Sequence, residues 1–144
     1  MRYKAKDYFI DGLKAEILAK KYSTPLYCYS FKKLKNNIKN FKKNFNSINP
    51  IICFAVKANS NRILLKEIGK LGLGADVVSK GELMKALKSG IKPNKIVFSG
   101  VGKTEDELKY AIKKKILLIN TESKSEVLTI EKIAKKEKKI IDIG

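Results

Sequence analysis

Five short apolar runs recur at a near-constant interval through the chain, and that interval is the strongest constraint on its fold. The runs are Ile51–Val56, Ala75–Val78, Ile96–Phe98, Ile116–Ile119 and Ile140–Ile143. Their starts lie about 20–24 residues apart, so each gap has room for one helix and two short turns. The gaps carry apolar residues at helical spacing, for example Leu64, Leu65, Ile68 and Leu71, with lysines between them. Ser79-x-x-Glu82, Thr104-x-x-Glu107 and Ser123-x-x-Glu126 mark three helix starts as capping boxes. Continuous apolar runs alternating with helices predict buried parallel strands in βα units, an α/β fold. Two architectures satisfy the pattern: an open doubly wound sheet, and part of a (β/α)8 barrel.

The first 50 residues lack this alternation. Leu13–Tyr22 reads as a helix and "STPLYCYS" as a strand. Phe31–Phe45 reads as a strongly basic helix with Leu34, Ile38, Phe41 and Phe45 turned inward. Residues 1–30 are thus expected to lead into the sheet, and residues 31–144 to supply the first βα units. The sequence closes on "KKIIDIG", in or at the end of the fifth predicted strand. A complete barrel takes about 250 residues, so an incomplete barrel is expected.

Composition narrows the chemistry. The chain has 32 basic and 14 acidic residues, a net charge of +18, which raises the question of a nucleic-acid partner. Only Arg2 and Arg62 are arginine, however, and the lysines are spread over every predicted helix. Specific phosphate and base contacts favour the arginine fork, so a solvated lysine-rich surface is the better reading. The absence of histidine excludes Ser–His and Cys–His catalysis and His-ligated zinc within this chain. Cys28 and Cys53 lie in apolar runs, as reduced core cysteines of a cytoplasmic protein would. No apolar run is long enough to span a bilayer, and "MRYKAKDYFI" lacks the uninterrupted apolar stretch of a signal peptide.

Two lysines follow apolar runs. "IVFSGVGKTEDEL" has the second half of a phosphate-binding loop, but Val97 stands where the loop needs its first glycine. A strand-to-helix turn capped by Thr104 is expected instead, with Lys103 at the mouth of the sheet attracting an anionic substrate. Lys57 comes directly after the apolar run in "IICFAVKANS". In parallel βα folds the carboxyl ends of the strands form the functional face. A lysine there, its stem desolvated by the sheet, is suited to Schiff-base chemistry. The alternative on position alone is a lysine that snorkels from a strand end.

The letters around Lys57 bear on that choice. "FAVKANSNRILLKEIGKLGLGADVVSKGEL" resembles the cofactor-lysine region of the fold-type III pyridoxal-phosphate decarboxylases, in particular those acting on diaminopimelate. That family carries Y/F-A-x-K-A-N, then G-x-D-V-V-S-x-G-E-L one βα unit later. "YSTPLYCYS", "GIKPNKIVFSGVGKTEDEL" and "INTESKSEV" fall in register with it. The resemblance runs from about Leu13 to the end and implies the barrel over the open sheet. It implies that Lys57 holds pyridoxal 5'-phosphate covalently, that Asp76 belongs to the cofactor-site wall and that the small Ala55 lets the ring approach. Glu82 matches a position near the site, although capping its own helix is an equal role for it. The implied reaction is decarboxylation of meso-diaminopimelate to L-lysine by a homodimer, with this segment inactive alone. Ornithine- or arginine-type decarboxylases and a non-catalytic cofactor carrier are the alternatives. Departures from the pattern are Phe54 for tyrosine, Ala75 for an aromatic residue and Lys80 for a frequent glycine.

Overall fold

The computed structural model describes residues 2–45 and 47–144. The chain forms two compact units, Met1–Asn49 and Pro50–Gly144.

The first unit begins with an antiparallel sheet that the sequence reading missed: β1 (Arg2–Lys4), β2 (Asp7–Ile10) and β3 (Leu13–Lys14). Its signal was available in Asp11-Gly12. Both residues have positive φ, 50° and 92°, the geometry of a tight hairpin turn for which Asp-Gly is a favoured pair. Leu13 and Lys14 therefore pair with β2, and α1 spans only Ala15–Tyr22.

"STPLYCYS" forms no strand; it runs unpaired to Ser30. Pro25 brings no N–H to a ladder there. The second helix, α2 (Phe31–Lys43), starts where Ser30 Oγ accepts the Lys33 N–H at 2.9 Å. Its apolar stripe exists, but Phe41 and Phe45 are exposed and only Leu34 and Ile38 are half-buried. A unit of this size has too little chain to cover the whole stripe.

The second unit holds β4 (Cys53–Ala55), β5 (Gly74–Val77), β6 (Ile96–Phe98) and β7 (Leu118–Ile119) in one parallel sheet. Between and after them run α3 (Arg62–Lys70), α4 (Lys80–Lys88), α5 (Glu105–Lys114) and α6 (Lys124–Glu137). The strand order is β4-β5-β6-β7, and Ile143 then bridges Ile119 in parallel. A doubly wound sheet reverses its order at a switch point. Here each new strand joins the same side, as in the wall of a barrel. The fifth run is shorter than predicted: pairing begins with the Asp142 carbonyl, and Ile140 is 95% exposed.

The two faces of the sheet differ. Ala75, Val77, Ile96, Phe98 and Ile119 are fully buried, together with helix residues such as Leu65, Ile68, Leu83, Leu108 and Ile112. Burying each large apolar side chain contributes roughly 1.5–3 kcal/mol, so this layer supplies the hydrophobic stabilisation of the unit. Alternation places Cys53, Ala55, Gly74, Asp76, Val97 and Leu118 on the opposite face. Packing is tight at Gly74, where an added Cβ would collide with the Lys95 carbonyl oxygen and come within 2.8 Å of Cys53 Sγ.

Candidate functional site

At the carboxyl ends of these strands the open face turns from apolar to polar. Ala55 pairs with Asp76, Asp76 with Val97, and Val97 with Leu118, so these four residues form one level of the sheet. One level further on stand Ser99 and Asn120. Their backbones continue the ladder, Ser99 N–H to the Val77 carbonyl and Asn120 N–H to the Phe98 carbonyl, each at 2.9 Å. Ser99 Oγ donates to Asp76 Oδ1 at 2.6 Å, and Asn120 Nδ2 donates to Ser99 Oγ at 3.0 Å. A three-residue polar row thus crosses three strands. Neither Ser99 nor Asn120 was singled out in the sequence reading, although each is the first polar residue after an apolar run.

Lys57 sits two residues past Ala55, in a 3-10 turn over Val56–Ala58 that packs on β5 and α4. Val56 is fully buried and anchors the turn, while Lys57 is exposed. The expected desolvation of its stem is therefore not provided by this chain. The letters after it fix the turn. Asn59 Oδ1 accepts the Asn61 N–H, and Asn61 Oδ1 accepts the Ile63 N–H at 2.9 Å to cap α3. Lys85 Nζ of α4 donates to Ser60 Oγ at 3.0 Å.

Glu82 has its carboxylate engaged. Oε2 accepts the Val78 N–H at 2.9 Å, while Ser79 Oγ accepts the Glu82 N–H. Glu126 does the same with the Glu122 N–H. Only the Thr104–Glu107 pair is a full capping box; the other two glutamates reach one residue further back. Glu107 also ties neighbouring turns together, because its Oε1 accepts the Lys80 N–H at 2.9 Å. The backbone N–H groups of Lys80 and Thr104 hold its carboxyl below the ordinary range.

Lys103 does not border the mouth as a free charge. Its side chain is 1% exposed, and Nζ donates to the Gly100 carbonyl, the Asn120 carbonyl and Glu126 Oε1 at 2.6–2.7 Å. All three ammonium protons are used, so the lysine serves as an internal brace. The turn is otherwise as expected: Gly100 and Gly102 adopt positive φ and Thr104 caps α5. The cysteines are free and only half-buried. Burial pushes the Cys53 thiol up, and the nearby Asp76 charge adds to this. No group of three or more potential metal ligands is present among the described residues, and no described helix is long and apolar enough to cross a membrane.

The parallel sheet, adding each strand on the same side and carrying a lysine and a carboxylate toward its carboxyl edge, is the wall of a βα barrel. Residues 31–144 match the family described as "Pyridoxal-dependent decarboxylase, pyridoxal binding domain", and the chain belongs to that family. Within it, the chain is similar to diaminopimelate decarboxylases. It is 51% identical over 119 residues to that of Helicobacter pylori strain J99, covering 83% of this chain and 29% of that protein. It is 45% identical over 136 residues to that of Aquifex aeolicus, covering 94% and 32%. The crystal structure of the M. jannaschii diaminopimelate decarboxylase in complex with L-lysine superposes with a TM-score of 0.94. That match has 36% identity and covers 99% of this chain and 34% of the other. The chain thus spans about a third of the length of the relatives it matches.

Proposed function

We propose that the protein carrying this chain is a cytoplasmic, homodimeric decarboxylase that converts meso-diaminopimelate to L-lysine with pyridoxal 5'-phosphate. The observation that carries the proposal is the placement of Lys57 one turn beyond the Ala55–Asp76 pair, on the carboxyl edge of a sheet shared with diaminopimelate decarboxylases. Three features support a fit to the cofactor. Ala55 is small, Lys57 follows it two residues on at the edge, and Asp76, paired with Ala55, offers a carboxylate held by Ser99.

Pyridoxal phosphate, when bound, supplies the electron sink for the bond broken as the carboxylate leaves. This chain's residues hold and orient. Lys57 Nζ would hold the cofactor at the carboxyl edge of the sheet. Asp76 lines the wall, with Oδ1 committed to Ser99 and Oδ2 without a hydrogen-bond partner among the described residues. Glu82 would act on the site indirectly, by fixing the β5–α4 turn at Val78.

The test is CO2 release by the complete protein from meso-diaminopimelate, L-ornithine and L-arginine, with and without Lys57→Ala. Turnover of meso-diaminopimelate alone, lost in Lys57→Ala, is expected. Preference for ornithine or arginine would move the protein to another branch of the family. Cofactor binding without any turnover would make it a carrier.

A further inference from the structure

We infer that Ser99 and Asn120 are positioning residues that hold the Asp76 carboxylate in one orientation at the mouth of the site. The inference deepens the proposed function and rests on it, because it assigns a task to Asp76 within the cofactor wall.

The argument is one of proton count. A serine hydroxyl has one proton to give and can accept from others, whereas the amide nitrogen of asparagine can only donate. Asn120 Nδ2 lies 3.0 Å from Ser99 Oγ, so Ser99 accepts there. The one Ser99 proton is then directed at Asp76 Oδ1, 2.6 Å away. Asp76 Oδ1 receives this hydrogen bond, which fixes the orientation of its carboxylate on the open face. All three groups are half-buried, where a directed hydrogen bond counts for more than in water.

The far end of the row is anchored as well. The Asn120 carbonyl accepts from the buried Lys103 Nζ at 2.7 Å, and Lys103 is paired with Glu126. The Asn120 Oδ1 side faces Gly144, where an added Cβ would come within 2.7 Å of that oxygen. The amide is therefore braced by its backbone and confined on its carbonyl side, with its nitrogen left to Ser99. The row runs from an internal ion pair to the one carboxylate of the open face that shares a level with Ala55.

The test uses the complete protein and four variants: Ser99→Ala, Ser99→Thr, Asn120→Asp and Lys57→Ala. Three quantities are read: pyridoxal-phosphate affinity by absorbance titration of cofactor-free protein, kcat and KM for meso-diaminopimelate, and thermal stability as a folding control. Ser99→Ala deletes the hydroxyl, and Asn120→Asp puts a competing acceptor beside it. Each is expected to lower kcat/KM or cofactor affinity by about tenfold or more, the scale of a hydrogen bond to a charged group. Ser99→Thr, which keeps the hydroxyl, is expected to stay within a few-fold of the parent at similar stability. If the parent turns over, and Ser99→Ala, Ser99→Thr and Asn120→Asp all match it, the positioning role is overturned while the proposed function stands. If the parent neither binds the cofactor nor depends on Lys57, both are overturned.

Discussion

The first and third βα turns of the second unit share one grammar: an apolar strand, a lysine, then a capped helix. They use the lysine in opposite ways. In the first turn the buried Val56 anchors the backbone and Lys57 is left exposed at the edge. In the third, Lys103 is drawn inside and all its protons are spent on two carbonyls and Glu126. A lysine at a strand end is therefore not by itself a reactive one. The deciding factor is whether acceptors from the next turn surround it.

Exchanging the two roles by mutation would break the contrast, and the largest effect is expected at Lys57. Lys57→Ala should abolish turnover by the complete protein while shifting its urea stability by less than about 0.5 kcal/mol, the range for exposed positions. Parallel activity and unfolding measurements check both halves. Purified 1–144 should show no turnover at all, and finding any would remove the need for the rest of the barrel. Lys103→Met should do the reverse. It leaves Glu126, whose side chain is 9% exposed, without its cation, and one-sided removal of a buried pair costs about 3–5 kcal/mol. Pairing Lys103→Met with Glu126→Leu should recover a substantial part of that loss; a double mutant as unstable as the single would assign the cost to the carbonyl contacts instead.

Smaller effects sharpen the picture of the rim. Glu107→Gln should cost about 1 kcal/mol, the typical value of a helix cap. Because the folded-state pKa of Glu107 lies below its ordinary value of 4.5, its contribution is complete above that value. It is lost as pH falls through the lower folded-state value. Acid unfolding of the parent and the variant should accordingly converge at low pH. The smallest effect is chemical: with its thiol pushed up by burial and by Asp76, Cys53 should alkylate more slowly at neutral pH than an unstructured cysteine. A mass-resolved time course with iodoacetamide reads this directly.

What could be read from letters alone follows from the range of each signal. The short apolar runs, the helical spacing of apolar residues and the three serine or threonine caps are signals of four to a dozen residues each, and the elements they mark formed close to where expected. The Asp11-Gly12 turn was equally local but went unread, and with it the N-terminal hairpin. By contrast, the brace at Lys103 depends on Asn120 and Glu126, 17 and 23 residues away in the chain. The Asp76–Ser99–Asn120 row likewise spans three strands. Nothing in the neighbourhood of Lys103 or Ser99 announces such partners. The inward face expected for α2 failed for a related reason: an apolar stripe states a need for cover without providing it.

The cross-turn bonds of Glu107 and Lys103 have a mechanical consequence. Glu107 fastens the third turn to the start of α4, and Lys103 fastens it to the fourth turn. Load applied at one turn is therefore carried sideways along the rim as tension in a laced hoop is, and no longer only down the strand beneath it. The carboxyl edge of the sheet is stiffened by polar laces of its own, separate from the hydrophobic layer under the helices.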